Sequence, residues 1–215
     1  MSTRLTLSIT IVLLAVFLVG GLAAWKFLPD PMASHWNVND QVDNTMPKFW
    51  GVFLMPILAV GMFVLFLVIP HIDPLKANIA QFREAFNLFI VLILLFLGYI
   101  WILSIAWNLG YTNFRMSSAM LPALGILFLF IGWLFRRAKR NFFIGIRTPW
   151  TLSSETVWDK THQLGSILFM ISGILALIGS LFGKNAIWFV MLPLLGSALF
   201  LVVYSYVLYQ RETKL

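Results

Sequence analysis

Residues 136–182 read RRAKRNFFIGIRTPWTLSSETVWDKTHQLGSILFMISGILALIGSLF. The stretch changes character part-way. Arg136–Gly165 is polar, strongly basic at its start, and carries Arg, Thr, Glu, Trp and His in one compact run. From Thr161 to Phe182 there is no Asp, Glu, Lys or Arg. About 20 helical residues at a rise of ~1.5 Å cross the ~30 Å hydrocarbon layer, so this second part reads as a membrane-spanning helix. Five more runs share its length and character: Leu5–Leu28, Phe49–Pro70, Ala85–Leu109, Ser117–Phe135 and Ala186–Tyr209. Apolar residues make up 60% of the chain, charged residues 11%, and the mean hydropathy is +0.91. The elements of a soluble core are apolar on one face, whereas these runs are apolar all round, which excludes a soluble globular domain. The sequence predicts an all-α polytopic membrane protein with six transmembrane helices, in one bundle that leaves no room for a separate soluble domain. The first run exceeds the apolar region of a signal peptide, about 7–15 residues, and is expected to be an uncleaved signal anchor.

Basic residues set the orientation. With the N-terminus in the cytoplasm, Arg4, Lys76, Arg83, Arg136, Arg137, Lys139, Arg140, Arg147, Lys160, Arg211 and Lys214 fall inside, and Lys26, Lys48, Arg115 and Lys184 fall outside. That bias matches the positive-inside rule, so both termini are expected in the cytoplasm of a multi-pass plasma-membrane protein. Trp25, Trp50, Trp133, Trp188 and Tyr209 lie near span ends, where interfacial aromatics belong. The net charge of +7 needs no nucleic acid to explain it, because the charges flank spans and no soluble unit presents them to a groove. The chain has no cysteine, which excludes disulfides, thiolate metal sites and cysteine nucleophiles.

The spans carry no Asp, Glu, Lys, Arg or His near their centres. Ion-coupled pumps and carriers need such groups, so their absence disfavours transport. The mid-span hydroxyls of Ser8, Thr10, Ser104, Ser172 and Ser197 are expected to bond back to their own helices. Ser172, Ala176 and Ser180 form a small-residue stripe suited to close helix contact. Pro56, Pro122 and Pro193 free carbonyls that neighbouring helices can satisfy.

Two polar segments remain. In the outer loop, residues 29–48, Pro29 and Pro31 stop the first helix. His35, Asn37 and Asn39 alternate with Trp36 and Val38, which places the polar set on one side of an extended segment. Asn39-Asp40 and Asp43-Asn44 supply turn chemistry, so an ordered hairpin is expected. One His with Asp40 or Asp43 is a poor metal set, and no metal or cofactor is expected. His35, Trp36, Asn37, Asn39 and Asp43 are the candidates for binding an outside partner.

In the inner loop, residues 136–160, Arg136–Arg140 anchor the fourth span and attract anionic headgroups. Phe142, Phe143, Ile144 and Ile146 rest in the interface, Gly145 permits a sharp turn, and Pro149 holds Thr148 extended. A helix is expected from the Ser153 or Ser154 cap, with Glu155 in its first turn. Glu155, Asp159 and His162 then share one face, with Trp158 and His162 neighbours on it. The face is expected to pair with Arg147 and clamp the loop to the bundle. Acid–base catalysis by Glu155, Asp159 and His162 is the alternative, though no nucleophile or second ligand stands at a recognisable spacing.

Asn141-Phe-Phe-Ile-Gly145-Ile-Arg147-Thr148-Pro149-Trp150, followed by Glu155, Trp158, Asp159, His162 and Gly165, resembles the signature of the SdpI family of bacterial membrane proteins. Leu28-Pro29-Asp30-Pro31, His35-Trp36-Asn37 and Asp43 resemble the DUF1648 domain that often precedes it. The family pattern often has Arg after the motif His, where this chain has Gln163. The resemblance implies a DUF1648-like region over 1–70 and an SdpI-like region over 71–215. It further implies an immunity or receptor protein, not an enzyme, that protects against a secreted peptide toxin and holds a transcriptional repressor at the membrane. On this reading the partners are the bilayer, the peptide outside and the repressor inside.

Overall fold

The computed structural model describes residues 1–214, apart from the Lys184 side chain. The chain forms α1 (Thr3–Ala24), β1 (Met32–Trp36), β2 (Val42–Met46), α2 (Lys48–Ile72), α3 (Lys76–Gln81), α4 (Arg83–Asn108), α5 (Met116–Phe135), α6 (Pro149–Ser153), α7 (Glu155–Gly179) and α8 (Trp188–Glu212). The six helices α1, α2, α4, α5, α7 and α8 are long and apolar enough to span a bilayer, and they coincide with the six apolar runs. Each of them exposes large aliphatic or aromatic side chains, as a helix solvated by lipid does. One end of the bundle carries the β1–β2 hairpin. The opposite, basic end carries both chain ends, α3 and the 136–160 loop.

The spans pack as two groups of three joined along α4 and α5. In the first, α1, α2 and α4 enclose Phe17, Val52, Phe66, Phe86, Ile90, Leu94 and Trp101. In the second, α5, α7 and α8 enclose Leu121, Phe128, Ala176 and Val190. Packing therefore crosses residue 70, because α4 sits with α1 and α2.

The tightest seam runs between α5 and α7. A Cβ on Gly132 would lie 2.7 Å from the Ser166 carbonyl oxygen, and one on Gly173 would lie 2.7 Å from that of Gly125. Without a hydrophobic drive between helices in lipid, such backbone proximity is what makes dispersion contacts effective. Of the expected stripe, Ser172 and Ala176 are buried and Ser180 is half-buried. The closest approach runs along the adjoining line of Ser166 and Gly173.

Pro56 has no N–H to offer the Val52 carbonyl one turn earlier. Trp101 of α4 supplies the missing donor, its Nε1 lying 2.8 Å from Val52 O in a buried contact. Among the mid-span hydroxyls, Ser8 bonds back to Arg4 O at 3.1 Å and Ser172 to Leu168 O at 2.8 Å. The buried Thr10 hydroxyl has no partner among the described residues.

Candidate functional site

At the hairpin end, β1 and β2 pair antiparallel with Met32 opposite Met46 and Trp36 opposite Val42, and the register shifts on either side of His35. The strand ends at Trp36. Asn37 and Asn39 therefore stand in the turn and do not continue a one-sided polar row with His35. The Asn37 Oδ1 closes that turn by accepting from the backbone N–H of Asn39 (2.9 Å) and Gln41 (3.1 Å).

Three carboxylates are committed to holding the hairpin. Asp30 Oδ1 accepts from Lys48 N at the start of α2, 3.1 Å away. Asp40, in the left-handed region with φ 60°, accepts from Ser117 N at 2.8 Å and from Ser117 Oγ at 2.9 Å. Helix α5 has neither a side-chain cap of its own nor an acid in its first turn, so Asp40 satisfies an orphan donor and complements the helix dipole from 77 residues away. Asp43 Oδ1 pairs with His35 Nδ1 at 2.5 Å on the exposed side.

Asn108, the last residue of α4, completes the mounting. It accepts from Ala33 N at 2.8 Å and donates to Ala33 O at 3.0 Å, as a neighbouring strand would. Trp36 packs edge-on against Trp107, with centroids 5.6 Å apart. Below the hairpin lies a cavity of about 640 Å³ with α2, α4 and α5 in its walls.

At the basic end the 136–160 loop is folded against the bundle by side-chain to backbone bonds. Asn141 is fully buried. Its Oδ1 accepts from Phe143 N (2.9 Å) and Ile144 N (2.7 Å), and its Nδ2 donates to Lys139 O (2.8 Å) and Ile144 O (2.9 Å). Gly145 has φ +120°, and a Cβ there would run into His162 Nε2. His162 is held at both ring nitrogens. Its Nε2 accepts from Ile146 N at 2.9 Å, which leaves the proton on Nδ1 to donate to Trp158 O at 2.8 Å. The Trp158 indole stacks on the imidazole at 3.9 Å and donates to Ala138 O at 2.9 Å.

Thr148 is extended and opens α6 with a capping box shared with Thr151, and Pro149 is the first helical residue. Thr148 is extended as expected, whereas the short helix α6 that follows was not foreseen from the sequence. Ser154 then caps α7 by accepting from Val157 N at 3.2 Å. Thr148 Oγ1 lies 3.0 Å from Ser205 Oγ, and Trp150 packs on Tyr206, so α6 is moored to α8. Gly165 lets α7 pass Ile146 and Phe135, whose side chains occupy the space of a Cβ.

The expected Arg147–carboxylate pair is not made. Arg147 turns back and donates to Phe142 O at 2.8 Å. Arg140 takes the place instead, donating to Leu152 O at 3.0 Å and to Glu155 Oε1 at 3.4 Å. Glu155 and Asp159 are exposed and border a small polar cavity of about 150 Å³, whereas His162 is buried beneath the loop. The three therefore do not converge on a common reacting point. Among the described residues no group of three or more His, Asp or Glu side chains is placed to hold a metal ion.

Sequence reasoning missed two ties between the loop and the first helical group. Buried Asp73, just past α2, accepts from Phe142 N at 2.9 Å and from Leu75 N at 2.6 Å. Asn78 of α3 donates to Arg140 O at 2.8 Å. Neither has a local signature, since the partner lies more than 60 residues on.

Six lipid-exposed spans with an ordered hairpin at one end and an ordered loop at the other define a multi-pass plasma-membrane protein. The model of the SdpI/YfhL protein family matches residues 137–205, which hold the loop, α6, α7 and most of α8. The DUF1648 model, a domain of unknown function, matches residues 11–60, which hold the hairpin and its flanking helices. The chain is thus similar to the SdpI/YfhL family over its C-terminal part and to the DUF1648 domain over its N-terminal part. It is 26% identical over 193 residues to "Immunity protein SdpI" of Bacillus subtilis (strain 168), covering 89% of each chain. No solved structure matches.

Proposed function

We propose that the chain is an immunity protein, protecting its cell against a secreted antimicrobial peptide that attacks the membrane. The observation that carries this reading is the similarity to the Bacillus subtilis immunity protein along 89% of both chains, which takes in both polar segments as well as the spans. The test is expression in a Bacillus subtilis strain that lacks its own immunity protein, followed by exposure to the peptide toxin that this species secretes. Survival should rise at least tenfold over the empty vector. Unchanged killing would sink the reading.

The basic bias supports an orientation with the 136–160 loop and both termini in the cytoplasm and the hairpin outside. Residues 1–70 then present the outward surface of His35, Trp36, Asn37, Asn39 and Asp43 to the peptide. Residues 71–215 present the clamped platform of Asn141–Gly165, including Arg147, Trp150 and Asp159, to a transcriptional repressor held at the membrane when peptide is bound. Because the chain has no cysteine, the orientation is directly testable. Asp43→Cys should react with an impermeant thiol reagent added to intact cells, and Ser153→Cys only after the membrane is opened; both positions are exposed. Labelling of Ser153→Cys from outside would reverse every assignment in this paragraph.

A further inference from the structure

We infer that the cavity under the hairpin is the peptide-binding site itself, and that it takes an uncharged, apolar segment of a peptide already lying in the outer leaflet. The inference rests on the proposed immunity reading and adds a location and a ligand chemistry to it. The cavity reaches from Asn37 and Asp40 at the hairpin turn down to Ile100 on α4 and Leu124 on α5. At ~1.5 Å per residue that is roughly 12 Å below the ends of those helices, well inside the hydrocarbon. Helices α2 and α5 both pack on α4 without forming an interface with each other. The cavity therefore has α4 as its floor and the hairpin as its roof, with residues of α2 and α5 and Ile187 in its walls.

The wall decides the occupant. Among the described residues, its titratable groups are His35 and Asp40. Both have counter-charges: Asp43 for His35, and Arg115 at 3.9 Å for Asp40, which also accepts from Ser117. A charged group entering the cavity would meet no partner and lose its hydration, so the occupant is uncharged. Met46, Met55, Met116 and Met120 line it together with Trp50 and Trp101, a polarizable, adaptable surface that accommodates irregular aliphatic and aromatic side chains. At about 640 Å³ it falls in the range of ligand pockets, ~300–1,000 Å³.

A lipid acyl chain would use only the apolar part of this wall. The Ser34 and Ser104 hydroxyls also line it, and neither is engaged by a side-chain hydrogen bond among the described residues. The Trp36 indole N–H on the same wall is buried without an acceptor among the described residues. Donors set among apolar side chains suit a peptide, which carries backbone carbonyls between its apolar side chains.

The test places the photo-crosslinker p-benzoylphenylalanine at Ser104, with Met120 as a second cavity position and lipid-facing Leu199, 71% exposed, as control. Membranes bearing the full chain are irradiated with the purified peptide toxin of Bacillus subtilis, and adducts are weighed by mass spectrometry. The expected result is at least tenfold more peptide adduct at Ser104 or Met120 than at Leu199. A lipid-mass adduct at both cavity positions, equal labelling at Leu199, or no peptide adduct in the cavity overturns the inference. Protection with no cavity adduct removes the site and leaves immunity standing. A cavity adduct without protection keeps the site and removes immunity.

Discussion

Gly132→Leu is expected to yield no folded protein, and Gly132→Ala a chain that melts well below the parent. The α5–α7 seam leaves no room for a side chain there. Even the alanine methyl would lie 2.7 Å from Ser166 O and 3.0 Å from Met170 N, and both of these are backbone atoms that cannot rotate away. Overpacking in a well-filled core costs about 1–3 kcal/mol, and a leucine forced against backbone exceeds that range. The helices would have to separate, and the loss would spread along the seam to Gly125 and Gly173. Gly61 and Gly196 are the internal controls, since a Cβ at either meets nothing within 4 Å. Alanine at those two positions should leave the melting temperature level or slightly raised, because Gly costs a helix interior about 0.5–1 kcal/mol relative to Ala. Heating detergent-solubilised protein and measuring the monodisperse fraction reads all four variants. A Gly132→Ala protein that melts with the parent would refute the seam.

Asn141→Ala should release the 136–160 loop from the bundle. One side chain satisfies two backbone donors and two backbone acceptors, all inside the loop it organises. A buried polar group left unpaired costs about 1–3 kcal/mol, so losing several at once exceeds ~3 kcal/mol unless the loop opens to water. Opening is the cheaper outcome, and it exposes Phe143, Ile144 and the Trp158–His162 stack. The measurement is limited proteolysis in inside-out vesicles, with cleavage within 141–153 expected to rise at least tenfold while the spans stay intact. Asn141→Asp keeps the acceptor but loses both donations and adds a charge, so it should fail as well. Parental protease resistance in Asn141→Ala would show that other ties hold the loop.

The six spans were legible because lipid makes a severe demand on sequence: about 20 residues with no unpaid polarity. Nothing else in the chain reads as plainly. The hairpin was legible as a hairpin from its turn residues, yet its mounting was not. Asn108 reads as the end of a span, and Asp40 reads as a turn residue; that they grip Ala33 and Ser117 follows only from where α4 and α5 bring them. The clamp at the basic end shows a second limit. Trp158 and His162 stand one helical turn apart, so their stacking follows from helix geometry alone. Which arginine meets Glu155 depends on the path between them. The turn at Gly145 sends Arg147 back to Phe142 O, and Arg140 lies beside the start of α7. Asp73 was invisible for a third reason: a carboxylate at the end of a span looks like solvent-facing chemistry, and its burial depends on Phe142, 69 residues later.

The long sequence separations of these grips bear on how the protein is made. The Asp40–Ser117 and Ala33–Asn108 contacts join residues 77 and 75 apart. At a synthesis rate of roughly 5–20 residues per second, the first hairpin residues precede their anchors by about 4–15 s. During that interval the two strands have each other and the local Asp30 tie to Lys48 of α2, and an isolated two-stranded hairpin is marginal in water. Seating of the hairpin thus depends on prompt arrival of the third and fourth spans. A nascent chain arrested before Ser117 would display the hairpin sequence without its mount.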